Sequence, residues 1–193
     1  MSEAEIIKKL QQGNEKAFKE MVEDYQKMVV NTCFGMVHNI EDAEDIAQEV
    51  FIEVFRSINK FRADSKLSTW LYRMAINRSL NFIRDNKRNK WFQSFEDSVQ
   101  SKNALHEKLH SKNTDHPEFE LENKQRATLL HQAIDSLSEN QKVAFTLSKY
   151  EELSYQEISG VMELSVSSIE SLLHRAKKNL QKKLYVCYKK KCI

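Results

Sequence analysis

The segment from residue 61 to residue 88, FRADSKLSTWLYRMAINRSLNFIRDNKR, interleaves cationic and aromatic side chains. They are Arg62, Lys66, Arg73, Arg78, Arg84, Lys87 and Arg88, with Phe61, Trp70, Tyr72 and Phe82. Rings among cations suit single-stranded nucleic acid, because unstacked bases lie on the rings while Lys and Arg follow the backbone. Each ring is also compatible with a helix core whose charged face meets water. Both interpretations stay open, and Phe61 and Arg62, in a predicted loop, favour binding.

The preceding stretch, residues 41–53, is acidic and contains no Lys or Arg. Its acids are Glu41, Asp42, Glu44, Asp45, Glu49 and Glu53. An acidic helix face with an apolar back is often only a solvated surface. The absence of balancing cations also makes it a reasonable surface for docking another protein.

A third group lies opposite the apolar stripe of the last predicted helix. Its members are Ser167, Ser168, Glu170, Ser171, His174, Arg175 and Lys178. A short helix, a turn of about three residues and a longer basic helix form the helix-turn-helix pattern, whose second helix enters the DNA major groove. Small polar and basic side chains near its start reach base edges there. The alternative is an ordinary solvated basic helix.

Helices are expected to position all three groups, because the chain of 193 residues contains only 3 Gly and 1 Pro. One stripe, from about Ala43, places these residues inward: Ile46, Ala47, Val50, Phe51, Val54, Phe55 and Ile58. The next helix begins near Ser68 and buries Leu71, Ala75, Ile76 and Leu80. Residues 59–66 are predicted to connect the two helices as a loop.

The pattern changes at residues 93–121, which are polar, weakly periodic and contain the single proline. We interpret them as a linker that contains at most a short helical piece. Beyond it, Ser138–Gln141 and Ser154–Glu157 match the capping box and predict two helix starts. The predicted fold is all-α, with a domain at 1–92, a polar linker at 93–121 and a helix-turn-helix domain at 122–193.

Several function classes find no support in the sequence. The charged N-terminus lacks the apolar core of a signal peptide, and no run reaches the roughly 18 apolar residues that span a membrane, so we expect a soluble cytoplasmic protein. Its 3 cysteines predict no disulfide framework. HEKLH, residues 106–110, matches a zinc-protease motif but falls in the polar linker, and Cys187 and Cys192 lack a paired motif. We therefore predict no enzyme, no metal and no cofactor.

Two blocks of the chain resemble a known family. DAEDIAQEVFIEVFRSINKFRADSKLSTWLYRMAINRSLNFIRD resembles region 2 of the extracytoplasmic-function (ECF) sigma factors of the sigma-70 family. LSENQKVAFTLSKYEELSYQEISGVMELSVSSIESLLHRAKKNL resembles their region 4. The blocks stand in the right order, which makes the resemblance more specific than a helix-turn-helix alone.

The resemblance implies a role for each group of residues. Asp42, Asp45, Gln48, Glu49 and Phe51 would dock on core RNA polymerase, at the β′ subunit, with the β subunit as a further contact. The melted −10 element would be held by Phe61, Arg62, Lys66, Trp70, Tyr72, Arg73, Asn77, Arg78, Asn81 and Arg84. Rings would hold flipped bases and cations the strand, which would repay the few kcal/mol that flipping costs. The third group would read the duplex −35 element.

The chain departs from the family pattern in its last two helices. Ser167-Ser168 replaces a frequent Gly-Thr, and Glu170 occupies a position that is often basic. Leu172 replaces a common Arg, and Glu163 replaces the frequent turn Gly. Since Glu170 cannot pair with phosphate but accepts from a cytosine amino group, these changes concern the −35 sequence rather than the fold.

The implied function is that of an alternative bacterial sigma factor, which binds core polymerase and promoter DNA, catalyses nothing and uses no small-molecule substrate. Family members are commonly held inactive by an anti-sigma factor, often at the membrane, so such a partner is expected. The competing hypothesis is a stand-alone helix-turn-helix repressor or activator that binds duplex DNA as a dimer. That protein would need neither an acidic docking helix nor a ring-bearing basic segment in a separate domain.

Overall fold

The computed structural model describes residues 3–97 and 117–189, and these contain eight α-helices and no strand. The helices are α1 (Glu3–Gln11), α2 (Glu15–Val37), α3 (Ile40–Ser57), α4 (Leu67–Asp97), α5 (Pro117–Asp135), α6 (Glu139–Lys149), α7 (Tyr155–Met162) and α8 (Val166–Lys189). A turn of 3₁₀ helix, Ile58–Lys60, follows α3. The all-α prediction is confirmed. No helix within the described ranges is long and apolar enough to cross a membrane.

The first helical unit consists of α1 to α4 around one apolar core. Asn14 caps α2 by accepting from the Ala17 amide, and Asn39 caps α3 by accepting from the Asp42 amide. These side chains satisfy amide groups that a helix start leaves unpaired. Val29 and Leu71 are among its fully buried residues. The predicted apolar stripe of α3 is buried in the same core, except for Phe55, which is 56% exposed.

The second unit consists of α5 to α8. Ser154 and Glu157 form the predicted capping box at the start of α7. Ser138 is the N-terminal cap of α6 but forms no hydrogen bond through its side chain, so the box predicted there is not formed. Its partner position, Gln141, instead accepts from the Asn179 amide of α8 at 3.0 Å.

Helix extends into both ends of the predicted linker. α4 runs to Asp97, and α5 begins at Pro117, which suits the first turn of a helix because its missing amide hydrogen is not needed there. Residues 98–116, with the HEKLH motif, lie outside the described residues, as does Cys192. The sequence signal for α5 was weak because its apolar residues show little periodicity.

The two units pack against each other. Met36, Tyr72 and Ile76 of the first unit share a buried cluster with α6 to α8. Gly35 is buried at this contact, and its carbonyl accepts from the Thr146 hydroxyl at 3.2 Å. The arrangement brings α4 directly beneath α7, and this decides which predicted site residues remain accessible.

Candidate nucleic-acid and protein interfaces

One face of α3 combines exposed acids with exposed apolar side chains. Asp45, Gln48 and Glu49 are exposed, and Asp42 is half-buried. Burial raises the pKa of Asp42, and the negative charges of Asp45 and Glu41 raise it further. The face is therefore a concentrated negative surface whose charge a cationic partner would relieve.

Phe51 is a correction to the predicted docking set. Its side chain is only 8% exposed and packs in the core, so it does not reach the surface that carries the acids. The apolar side chains of that surface are Ile52 and Phe55, 50% and 56% exposed. Phe55 was predicted to face inward and instead contacts the Phe18 ring edge-on, with 5.2 Å between ring centroids.

Helical spacing carried a signal for this surface. Positions 45, 48, 52 and 55 follow steps of three and four residues and thus share one face of a helix. Phe51 belongs instead with Ala47 and Val54, both buried. Sequence reasoning missed Ile52 and Phe55 because the apolar residues of α3 cover more than one face.

The rings of the 61–88 segment are mostly enclosed. Phe61 is 8% exposed and stacks on Trp70, with 4.9 Å between ring centroids. Trp70 is half-buried and packs on the core of the first unit, as does Phe82. Tyr72 is 8% exposed and lies at the contact between the units. In this arrangement the core interpretation describes Phe61 and Tyr72, whereas Trp70 and Phe82 are half-buried.

The polar members of the segment divide into accessible and engaged side chains. Arg62, Lys66, Asn77, Asn81 and Arg84 are exposed, and Arg73 and Arg78 are half-buried. Arg62 and Lys66 lie in the loop before α4, and Asn77, Asn81 and Arg84 lie on α4. The exposed set forms a polar surface that continues from the loop along the helix.

Three arginines of α4 are already paired. Arg73 donates to the carbonyls of Gly160 and Val161 at 2.7 and 3.0 Å, where α7 ends. Its third contact is the Glu163 carboxylate, at 2.8 Å. A guanidinium at a helix C-terminus satisfies free carbonyls and complements the helix dipole. Arg73 thus holds α7 on α4, and it is unavailable to another ligand in this state.

Arg78 and Arg84 form the other two pairs. Arg78 contacts Glu53 at 2.6 Å and Glu49 at 3.5 Å, which links α4 to the acidic helix α3. Arg84 contacts both carboxylate oxygens of Glu139, at 3.2 and 2.7 Å, across the two units. The bond from Arg84 lowers the pKa of Glu139. Because both partners are exposed, the Arg84 pair adds little stability.

Glu151 is a half-buried acid at the seam between the units. The Tyr72 hydroxyl donates to its Oε2 at 3.1 Å, while its Oε1 is buried without a partner among the described residues. Burial raises the pKa of Glu151 to about 7, although the hydrogen bond from Tyr72 opposes the rise. The seam therefore favours a protonated, neutral side chain at this position.

A second polar cluster lies at the other side of the seam. His38 stacks on His131, with 4.2 Å between ring centroids, and its Nε2 lies 3.3 Å from Asp135. Lys142, though 6% exposed, pairs with the same carboxylate. Burial alone would raise the pKa of Asp135, but the neighbouring His38 and the hydrogen bond from Lys142 outweigh it and lower the pKa to about 2. Sequence reasoning assigned this cluster no role.

The helix-turn-helix is formed by α7 and α8. The turn passes through Glu163, whose φ of 55° lies in the left-handed region that favours glycine. This residue stands where the family often has Gly, so the chain accepts strain and gains the Arg73 contact. Leu172, at a common Arg position, is 8% exposed and packs in the core. Both departures were expected to concern the −35 sequence rather than the fold, and instead they take part in its packing.

The predicted −35 residues lie on the outer face of α8. All of them are exposed except Ser168, which is half-buried. Ser165 caps the helix by accepting from the Ser168 amide at 3.2 Å, and its hydroxyl lies 3.1 Å from that of Ser167. Arg175 donates through Nε to the Ser171 carbonyl at 3.1 Å. The capping role of Ser165 was missed, although serine is among the residues preferred at a helix N-cap.

The structure bears on Cys33 and on possible metal ligands among the described residues. Cys33 is fully buried, and burial raises the pKa of its thiol to about 11, which leaves it protonated and unreactive. The described residues contain no group of three or more His, Cys, Asp or Glu side chains able to hold a metal ion. The His106 and His110 pair lies outside them.

Each of the two helical units matches the model of a known protein family. The model of sigma-70 region 2 matches residues 21–89, and that of sigma-70 region 4 matches residues 127–180. Together they cover more than half of the chain. The Arg73–Glu163 contact therefore joins the two matched regions to each other.

Curated relatives and solved structures agree with this match. The chain is 32% identical over 187 residues to the RNA polymerase sigma-H factor of Pseudomonas aeruginosa, covering 93% of this chain and 92% of the relative. It is 30% identical to the ECF RNA polymerase sigma-E factor of Escherichia coli K12, over 93% of this chain and 92% of that protein. The fold resembles that of CnrH in complex with the cytosolic domain of CnrY, with a TM-score of 0.65, 18% identity and coverage of 95% and 97%.

A second solved structure has the same fold. It is the sigma factor RpoE of Bartonella quintana with the anti-sigma factor NepR, with a TM-score of 0.59, 21% identity and coverage of 89% and 98%. The family's members are transcription initiation factors rather than enzymes, as expected from the sequence. The chain belongs to the sigma-70 family, as an ECF-type sigma factor that directs promoter recognition in bacterial transcription initiation.

Proposed function

We propose that the face of α3 formed by Asp45, Gln48, Glu49, Ile52 and Phe55 binds core RNA polymerase at its β′ subunit. The observation that carries this proposal is the exposure of Ile52 and Phe55 beside the exposed acids Asp45 and Glu49. Apolar side chains supply most of the energy of a protein interface, and surrounding charges supply orientation and specificity. Phe51 supports this face from the core.

The loop at residues 62–66 and the exposed face of α4 would hold the melted −10 strand. Arg62 and Lys66 are free to follow a phosphate backbone, and Asn77 and Asn81 offer amide groups to base edges. Trp70, half-buried beside the loop, is the ring best placed to stack on a base. The outer face of α8 would read the duplex −35 element from Ser167 to Lys178.

Promoter binding requires a different arrangement of the two units. Arg73 cannot contact DNA while it holds the end of α7, and Tyr72 is covered at the seam. Region 4 must therefore leave α4 before these two residues can bind a strand. The proposed −10 surface is complete only in that open state.

An anti-sigma factor is a further proposed partner. The proposed location of the protein is the cytoplasm. CnrH and RpoE, which have this fold, were solved with CnrY and with the anti-sigma factor NepR respectively. A partner that competes for region 2 or region 4 would keep the chain from polymerase. Co-purification with this chain in its own host, followed by sequencing of the bound protein, tests the expectation.

The proposed function is tested by run-off transcription with purified core polymerase. Wild-type protein should give promoter-dependent transcripts above core alone; if it gives none, the proposal fails. Asp45→Lys and Phe55→Ala should weaken core binding, measured by fluorescence anisotropy, while the helical signal in circular dichroism stays unchanged. Glu23→Lys, a charge reversal on α2, is the matched control and should bind as wild type does. Equal affinity for all four proteins would refute the docking face.

A further inference from the structure

Helix α1 holds both ends of the loop that precedes α4. The Gln11 side-chain amide donates to the carbonyls of Ile58 and Phe61, at 3.3 and 2.9 Å. The Glu3 carboxylate accepts from the Leu67 amide at 2.6 Å and thereby caps α4. The contact of Gln11 with Phe61 spans 50 positions of the chain, and that of Glu3 with Leu67 spans 64. One short helix thus fixes the point where the loop begins and the point where it ends.

The loop between these anchors is exposed, although its ends are buried. Phe61 and Leu67 are 8% and 1% exposed, while Arg62, Ala63, Asp64 and Lys66 are exposed. Ala63 has a φ of 58°, in the left-handed region that a residue with a Cβ adopts at a cost. Such a conformation persists only when its surroundings impose it. The contacts from α1 to the two ends of the loop are the interactions that can impose the left-handed conformation at Ala63.

We propose that Gln11 and Glu3 are positioning residues for base selection by the 62–66 loop. The inference rests on the proposed role of this loop at the −10 element. In that role the loop would contact DNA, whereas Gln11 and Glu3 would only hold the loop. A preformed loop pays less ordering entropy on binding and rejects bases that do not fit its one shape. A loop released from α1 adapts to several bases and loses discrimination rather than all binding.

The experiment uses full-length protein with core polymerase and a pool of promoters randomised at the −10 element. Transcripts are sequenced, and selectivity is the yield ratio of the preferred base to the others at each position. Gln11→Met keeps the side-chain length and removes the amide, and Glu3→Ala removes the cap. Gln12→Met, at the exposed neighbouring glutamine, and Glu3→Gln, which keeps a carbonyl acceptor, are the matched controls.

We expect Gln11→Met and Glu3→Ala to lower selectivity about 3- to 10-fold at one or two adjacent −10 positions, the range that one hydrogen bond spans. Selectivity at the −35 element and affinity for core should stay unchanged, and both controls should behave as wild type. A uniform fall in transcription with unchanged selectivity would overturn the inference, since it would show a structural role only. Unchanged transcripts from either variant would also overturn it. A wild-type protein that gives no promoter-dependent transcripts would refute the proposed function instead.

Discussion

Single residues at the seam decide how closely the two regions approach. Gly35 is the clearest example, because a Cβ built on it would lie 2.6 Å from Thr146 Cγ2 and 3.1 Å from the Tyr150 ring. A distance below 3 Å between such atoms means that either the Thr146 side chain or one of the two helices must shift. Gly160, in the exposed face of α7, would meet nothing within 4 Å. The two glycines therefore form a matched pair.

Gly35→Ala should push α6 away from α2 and weaken the docking of region 4 on region 2. The radius of gyration from small-angle X-ray scattering should rise, and amide exchange in α6 and α7 should become faster. Gly160→Ala should leave the radius unchanged and stabilise α7 by up to about 1 kcal/mol, the helix preference of Ala over Gly. An unchanged radius in Gly35→Ala would contradict the close contact.

Arg175 is the residue on which the proposed −35 reading depends most. Arg175→Ala should lose about 1–3 kcal/mol on duplex DNA that carries the −35 element if the side chain reads a base. Lys182→Ala, further along the exposed face of α8, should weaken binding by the same factor on every duplex, as expected for a phosphate contact. Fluorescence anisotropy with specific and scrambled duplexes measures both. An equal loss on both duplexes for Arg175→Ala would make it a phosphate contact.

Helix ends give the elements their positions, and two serines show how a cap depends on its surroundings. Ser154 accepts from the Glu157 amide at 3.3 Å, and the Glu157 carboxylate returns a contact to the Ser154 amide at 2.9 Å. Ser138 stands at the same position of α6 but forms no such bond. The same sequence motif thus produced one reciprocal cap and one that is only positional.

Ser154→Ala should lower the free energy of unfolding by about 1 kcal/mol, the usual contribution of a helix cap. Ser138→Ala should change it by much less, because no side-chain bond is lost. Urea unfolding followed by circular dichroism gives both values. Equal losses from the two variants would show that α6 is capped in solution as α7 is.

At the scale of the whole molecule, region 4 covers part of the surface that region 2 would use for DNA. Tyr72, Arg73 and Arg84 each contact a residue of α6 to α8 or the segment between them. The half-buried carboxyl of Glu151 should make this closed arrangement sensitive to pH. Facing it are the Tyr72 hydroxyl, Thr32 and the Cys33 thiol.

Docking should weaken as pH rises, through Glu151. Its pKa is about 7 in the closed state against an ordinary 4.5, so the docked form prefers the protonated carboxyl. The contribution is therefore complete below about pH 4.5, declines as pH rises and is lost above about pH 7. Glu151→Gln stays neutral and should retain docking. The radius of gyration of Glu151→Gln should be smaller than that of wild type, and the difference should grow from pH 5 to pH 8.

The comparison with Glu151→Gln is needed because His131 changes the pH dependence of docking in the opposite direction. Burial and the neighbouring His38 lower its pKa, so its contribution is present above about 6.5 and is lost as pH falls. The Asp135 contribution is lost only as pH falls from about 3.8 to about 2, outside the measured range. The difference between Glu151→Gln and wild type removes both. A difference that does not vary with pH would refute the role of Glu151.

The sequence by itself determined the helices, the capping box at Ser154, the helix-turn-helix and the two family blocks in their order. These features depend on residues a few positions apart, through hydrogen bonds, caps and amphipathic faces that repeat every three or four residues. The exposed outer face of α8 was predictable for the same reason. Its apolar stripe is narrow and regular, so the opposite face had to meet water.

Only the tertiary structure decided which side chains of the other two sites are accessible. The burial of Phe51, the exposure of Phe55 and the stacking of Phe61 on Trp70 depend on how helices meet. The contact of Gln11 with Phe61 spans 50 residues, that of Tyr72 with Glu151 spans 79, and that of Gly35 with Thr146 spans 111. Local patterns carry no information on such pairs, because the chain brings them together only when its cores form.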